Sequence, residues 1–297
     1  MNGSATPEHR AGAPDVTCLV WVARPVDASA DLTDGERHRW SSLVQAPDRD
    51  RFSTGVRLQR RALWEVTGEH LTLRRRCATC GSNDHGPVSA PPPFDAEWTM
   101  SLSHSGERVV LAMAPARTAV GVDVERIRPR SGAVARTVLT ARELAADALP
   151  GNGAGASQAG DGAAFTTRWV RKEAVLKATR QGLTVPMTDL EVTGLGSPPA
   201  LTSWASSSRP ADLAPGGVQL VELAAGDGYA ACLAVLTTTA VRVRYRGGGE
   251  GSALQVGKNG EYPPVGVLGR REVELGEDAV DVLGDGLLGH HEASGNR

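Results

Sequence analysis

Residues 169–178 read Trp-Val-Arg-Lys-Glu-Ala-Val-Leu-Lys-Ala, a run without glycine or proline whose residues suit a helix. On a helix, Trp169, Glu173 and Lys177 recur every fourth residue and share one face. An acid and an amine one turn apart are most often a surface ion pair worth a few tenths of a kcal/mol. Here the pair must be read together with a second stretch, Gly121-Val122-Asp123-Val124-Glu125. Apolar and acidic residues alternate there with the period of a strand, so Val122 and Val124 point one way and Asp123 and Glu125 the other. Like charges on one strand face call for a counter-charge. Either this is a solvated acidic edge strand, or a divalent cation draws Asp123, Glu125 and Glu173 together. Three carboxylates would suit Mg²⁺, which takes oxygen ligands and keeps water or substrate phosphate in its shell.

With a third stretch, Ser101-Leu102-Ser103-His104-Ser105-Gly106, these segments resemble the signature motifs of the 4′-phosphopantetheinyl transferases. The form resembled is the larger, two-lobed one named after the surfactin synthetase activator. The three motifs stand in the family's order, and the resemblance runs from about Cys18 to Val235. It implies an α+β fold of two similar lobes related by a pseudo-twofold, each an antiparallel sheet packed with helices, with the active site in the cleft between them. It further implies transfer of the 4′-phosphopantetheine group from coenzyme A, with Mg²⁺ as cofactor, to a serine of an apo acyl or peptidyl carrier protein. The enzyme would act as a monomer. Glu173 would be the general base and Lys177 would stabilise charge on the phosphates. Arg60 and Arg61 (by motif position), Ser103, His104, Asp123, Lys172 and Lys177 would contact coenzyme A. For Lys172 a structural ion pair is an equal alternative, and Trp169 reads as a core anchor. One departure stands out: relatives carry a basic residue between the glycine and proline that here are the adjacent Gly86-Pro87, leaving His85 as its neighbour.

Other functional classes remain open on the residues alone. A coenzyme A or nucleotide-binding module without catalysis would not need all three acids. A metal-dependent phosphodiesterase would use the same carboxylates with water as nucleophile. Cys77 and Cys80 at C-x-x-C spacing, with His85, offer three zinc ligands and would suit a zinc-stabilised interaction protein, although no fourth ligand is near and a tight loop with two free thiols is the commoner fate of such spacing. A hydroxyl nucleophile with His104 as base is set aside, because no acid is placed to orient His104 and no nucleophile-elbow glycines surround the serines.

The 297 residues carry a net charge of −2, so no basic field suggests nucleic acid. No apolar run is long enough to cross a bilayer and the start lacks a signal pattern, so a cytoplasmic protein without a membrane partner is expected. Four cysteines there would be reduced. The expected organisation is a disordered start (1–14), an N-terminal lobe (15–117), a C-terminal lobe (118–246) with a flexible Gly/Ala/Ser-rich insertion (151–164), and a low-complexity tail (247–297). Capping-box spacings at Thr33–Glu36 and Thr140–Glu143 predict helix starts. Residues 108–114 and 118–125 predict a hairpin, 16–23, 190–192, 219–223 and 229–235 strands, and 197–217 a loop. Gly182 is expected to close the signature helix as its C′ residue.

Overall fold

Both capping-box sequences fold as their spacing predicts in the computed structural model, which describes residues 15–76, 80–83, 86–148, 158–214 and 216–246. The described chain opens with β1 (Val16–Ala23), α1 (Asp34–Ser42), α2 (Ala46–Thr67) and the two-residue strands β2 (Arg74–Arg75) and β3 (Val88–Ser89). β4 (Trp98–Ser105), β5 (Arg108–Pro115) and β6 (Val120–Arg126) follow, then α3 (Gly132–Val138), α4 (Ala141–Asp147) and α5 (Gln158–Ala178). β7 (Leu190–Val192), β8 (Leu201–Trp204), β9 (Val218–Glu222), β10 (Tyr229–Leu236) and β11 (Val241–Tyr245) complete it. The fold is mixed α+β, and residues 15–246 lie within one compact unit.

Two sheets carry the core: β11-β1-β5-β4 and β6-β10-β9. β5, β6 and β10 bury both faces, and the period of two sorts their side chains into layers. Val109, Leu111 and Met113 of β5 meet Leu58, Ala62 and Leu63 of α2. Val110 and Ala112, on its other face, meet Val122, Val124 and Leu233 from the second sheet. Cys232 and Ala234 of β10 turn outward onto Val170, Ala174 and Val175 of α5. The order of layers is therefore α2, first sheet, second sheet, α5. Trp169 is half-buried against this last layer and packs beside Phe165 with ring centroids 5.9 Å apart, as expected of an anchor.

Several expectations need correction. β5 and β6 do not form a hairpin: β5 pairs with β4 and β1, whereas β6 pairs with β10. Both strands are apolar enough to be buried in either arrangement, so the short connection at 115–117 misleads. β8 occupies part of the expected loop, pairing with β7. β11 pairs in parallel with β1, so a strand from the expected C-terminal lobe completes the first sheet. The expected flexible insertion at 151–164 is helical from Gln158 onward. Small residues allow this, since a Cβ at Gly162 would stand 2.8 Å from the Arg128 carbonyl oxygen. The expected disordered start and tail lie outside the described residues.

α5 ends in a Schellman motif. The Gln181 N–H reaches back to the Leu176 carbonyl (3.2 Å) and the Arg180 N–H to that of Lys177 (3.1 Å). The C′ residue is therefore Arg180, with φ 58°, and not Gly182. An L-residue with a Cβ is disfavoured there. Arg180→Gly is expected to raise stability by about 1 kcal/mol in urea unfolding, and an unchanged or lower midpoint would refute the strain.

Candidate active site

Alternation along β6 puts Val120, Val122 and Val124 between the sheets and Gly121, Asp123 and Glu125 on the face covered by α5. At Gly121 helix and strand approach closely. A Cβ there would lie 2.9 Å from the Lys177 Cβ and nearer still to backbone atoms of Ala174 and Ala178. This approach lowers the Lys177 ammonium onto Asp123, with Nζ 2.7 Å from Oδ1, and brings Glu173, one turn earlier, to the same place.

β4, the edge of the first sheet, closes the site from the other side. The Ser103 hydroxyl donates to Asp123 Oδ1 at 2.8 Å, and the Ser105 hydroxyl donates to Glu125 Oε2 at 2.8 Å. Lys177 Nζ also donates to Ser103 Oγ at 3.1 Å. Asp123 is 2% exposed, and its second oxygen, Oδ2, is buried without a hydrogen-bond partner. A buried carboxylate oxygen left bare is costly unless something positive meets it.

The electrostatics agree. Burial, then the Asp123 charge, pushes the Glu173 carboxyl up to about 7, against the pull of Lys177. Burial and Asp123 likewise push Glu125 up to about 7, opposed by the Ser105 hydrogen bond, Lys177 and Arg130. Desolvation works against the Lys177 ammonium, yet Asp123 and Glu173 outweigh it and hold its pKa above the ordinary lysine value. The solvated-edge reading therefore fails: these are crowded, partly dehydrated acids sharing one ammonium.

Whether they fit Mg²⁺ is decided by chemistry. Among the described residues, no three acidic, His or Cys side chains already stand at the spacing of a formed metal site. Lys177 supplies the counter-charge there instead. The donors are nonetheless all hard oxygens, Asp123 Oδ2 has no competing partner, and Glu125 and Glu173 are charge-starved. That set fits Mg²⁺.

A pH dependence follows. In the metal-free folded protein Glu125 and Glu173 keep their protons up to about 7, whereas the unfolded chain releases them near 4.5. The folded state then binds more protons between those values, so their contribution is fully present below 4.5 and is lost as pH rises through 7. In EDTA the stability measured by urea unfolding should fall between pH 5 and pH 8, by on the order of 2 kcal/mol for the pair, and excess Mg²⁺ at pH 8 should restore it. A flat profile in EDTA would refute the crowding.

The other expected site residues are not all brought here. Lys172 is fully buried on a different side of α5, donating to Glu143 Oε2 (2.5 Å) and to the carbonyls of Val138 (2.7 Å) and Met187 (3.1 Å). All three ammonium protons are used, so its assignment to coenzyme A is corrected to the structural ion pair. The adjacent Arg171, also buried, ties down Thr193, Gly194 and Ser197. Arg60 binds Glu36 Oε2 at 2.6 Å and the Asp31 carbonyl, bracing α1. Arg61 pairs with Glu65 at 2.9 Å on an exposed surface. His104 sits between Ser103 and Ser105 on β4 and so faces the α2 side with Leu102, away from Asp123 and Glu125. Of the expected zinc ligands, Cys77 and His85 lie outside the described residues, and Cys80 is exposed. Sequence reasoning missed Gly121 and the carboxylate-binding role of Ser105; the alternation Ser-Leu-Ser-His-Ser beside an acidic strand was the available signal.

Residues 119–232, which include Gly121, Asp123, Glu125, Glu173 and Lys177, match the model of the 4′-phosphopantetheinyl transferase superfamily. The match takes in two of the three motifs, at 121–125 and 169–178, and leaves Ser101–Gly106 outside it. Among solved structures, that of Thermotoga maritima holo-[acyl-carrier-protein] synthase is similar at 21% identity, covering 40% of this chain and 62% of that one, with a TM-score of 0.29. The chain thus spans less than two thirds of that protein. No curated protein matches.

Proposed function

We propose that the chain transfers the 4′-phosphopantetheine group of coenzyme A to a serine hydroxyl of an apo acyl or peptidyl carrier protein, releasing adenosine 3′,5′-bisphosphate. The observation that carries this reading is the unpartnered, buried Asp123 Oδ2 among Glu125, Glu173 and Lys177. The superfamily match over the stretch containing them supports it. Asp123, Glu125 and Glu173 would hold Mg²⁺, which when bound supplies positive charge beside the phosphates.

In the reaction, the serine oxygen bonds to the phosphorus that carries the pantetheine arm, the P–O bond to the other phosphate breaks, and the serine proton goes to Glu173. Lys177, kept charged and partly exposed, is placed to turn from Asp123 to the phosphate oxygens. Ser103 and His104 would reach the phosphates only by leaving or extending their present contacts. The finer reading, also proposed, is the two-lobed form acting as a cytoplasmic monomer. The two-lobed part of that reading draws support from the pairing of one long helix with each sheet, α2 with the first and α5 with the second.

The test is intact-mass measurement of a purified apo carrier protein incubated with this protein, coenzyme A and Mg²⁺, with an EDTA control. One phosphopantetheine added, and lost with EDTA, is the expected result. Coenzyme A cleavage with no change in carrier mass would overturn it in favour of a phosphodiesterase.

A further inference from the structure

We propose that Ser103 and Ser105 are positioning residues that select which oxygen of Asp123 and of Glu125 faces the cation. The inference rests on the carboxylate reading above and concerns how those side chains are held. β4 and β6 are strands of different sheets, yet β4 laces the outer edge of β6 through hydroxyls in place of a backbone ladder. Ser101, Ser103 and Ser105 accept from the N–H groups of Val122 (3.0 Å), Val124 (3.3 Å) and Arg126 (3.1 Å). The three serines are spaced by two and so project from one face of β4.

That lacing dictates where the serine protons go. A hydroxyl has one proton and two acceptor positions. Ser103 Oγ receives the Val124 N–H and the Lys177 ammonium, so its proton is committed to Asp123 Oδ1. Oδ1, with Ser103 and Lys177 both upon it, is occupied, and Oδ2 is the oxygen left bare. Ser105 Oγ receives the Arg126 N–H and gives its proton to Glu125 Oε2, leaving Oε1. Each carboxylate is thereby fixed in rotation and offers one defined oxygen. Partners of this kind behind a metal ligand typically change affinity by 10–100-fold. Ser101 has the same backbone bond but no acid opposite it, because the neighbouring β6 position is Gly121.

Ser101 therefore supplies the control that separates positioning from strand lacing. The experiment titrates the full chain with Mn²⁺, reading free Mn²⁺ by its electron paramagnetic resonance signal, without coenzyme A or carrier, and follows each variant by urea unfolding. Ser103→Ala and Ser105→Ala are expected to raise the Mn²⁺ Kd by about 10–100-fold. Ser101→Ala should lower stability, since it strips a partner from the buried Val122 N–H, yet leave the Kd unchanged. Ser105→Thr, which keeps the hydroxyl, should bind like wild type. Arg126 is exposed, so water can replace Ser105 on its N–H and Ser105→Ala should remain folded. Equal weakening by all three alanines would overturn the proposal in favour of a purely structural seam, as would no weakening at all. Wild-type protein that takes up no Mn²⁺ would overturn the metal assignment and this proposal with it. Mn²⁺ uptake without carrier modification would overturn the transferase reading and leave the role of the serines standing.

Discussion

Gly121→Ala is expected to dismantle the site from a distance by forcing α5 off β6. The added methyl would meet the Ala174 carbonyl and the Ala178 amide, both backbone, as well as the Lys177 Cβ at 2.9 Å. No rotamer change relieves a clash with backbone, so the helix or the strand must move bodily. Overpacking of this kind costs about 3 kcal/mol. The same shift lifts Lys177 and Glu173 away from Asp123, where a misplacement of about 1 Å can cost 10²-fold in rate. Thermal unfolding and the carrier-mass assay should both register the change. A Gly121→Ala protein as stable and active as wild type would mean that the close approach does not exist.

The second large effect concerns chemistry alone. Glu173→Gln preserves shape but removes the proton acceptor and one proposed ligand, and transfer should fall by about 10³-fold or more. Its stability should move the other way. Glu173 is pushed up to about 7 by burial and by Asp123, so a neutral amide relieves that crowding. In EDTA at pH 8 the variant should therefore unfold at a higher urea concentration than wild type, although it is inactive. Loss of activity accompanied by loss of stability would point to a structural Glu173, and full turnover would remove it from the mechanism.

How much of this was legible beforehand varies residue by residue. The facing of Asp123 and Glu125 followed from alternation alone, because a strand's period is fixed by its backbone. That Glu173 and Lys177 share a face followed from the helical period in the same way. What alternation cannot say is which layer covers a face, and so the choice between a solvated edge and a crowded cluster had to wait for α5 to be seen across Gly121. Lys172 shows the converse. Its neighbours in sequence made it look like part of the site, but one position along a helix is a rotation of 100°, enough to aim it at Glu143 in a separate buried network. The hairpin expected from 108–125 failed because strand pairing is a long-range choice that short connections only bias. Ser105 carried a legible motif whose use depended on the neighbouring sheet.

The parallel pairing of β11 with β1 also sets an order of events during synthesis. β1 is among the first described segments to leave the ribosome and β11 is the last, so one flank of β1 stays open until nearly the whole described chain has emerged. Contacts between such distant segments form slowly, and an unpaired strand edge is a template for wrong partners in the meantime. Nascent chains stalled before Val241 should accordingly be more prone to self-association than chains released just beyond Tyr245.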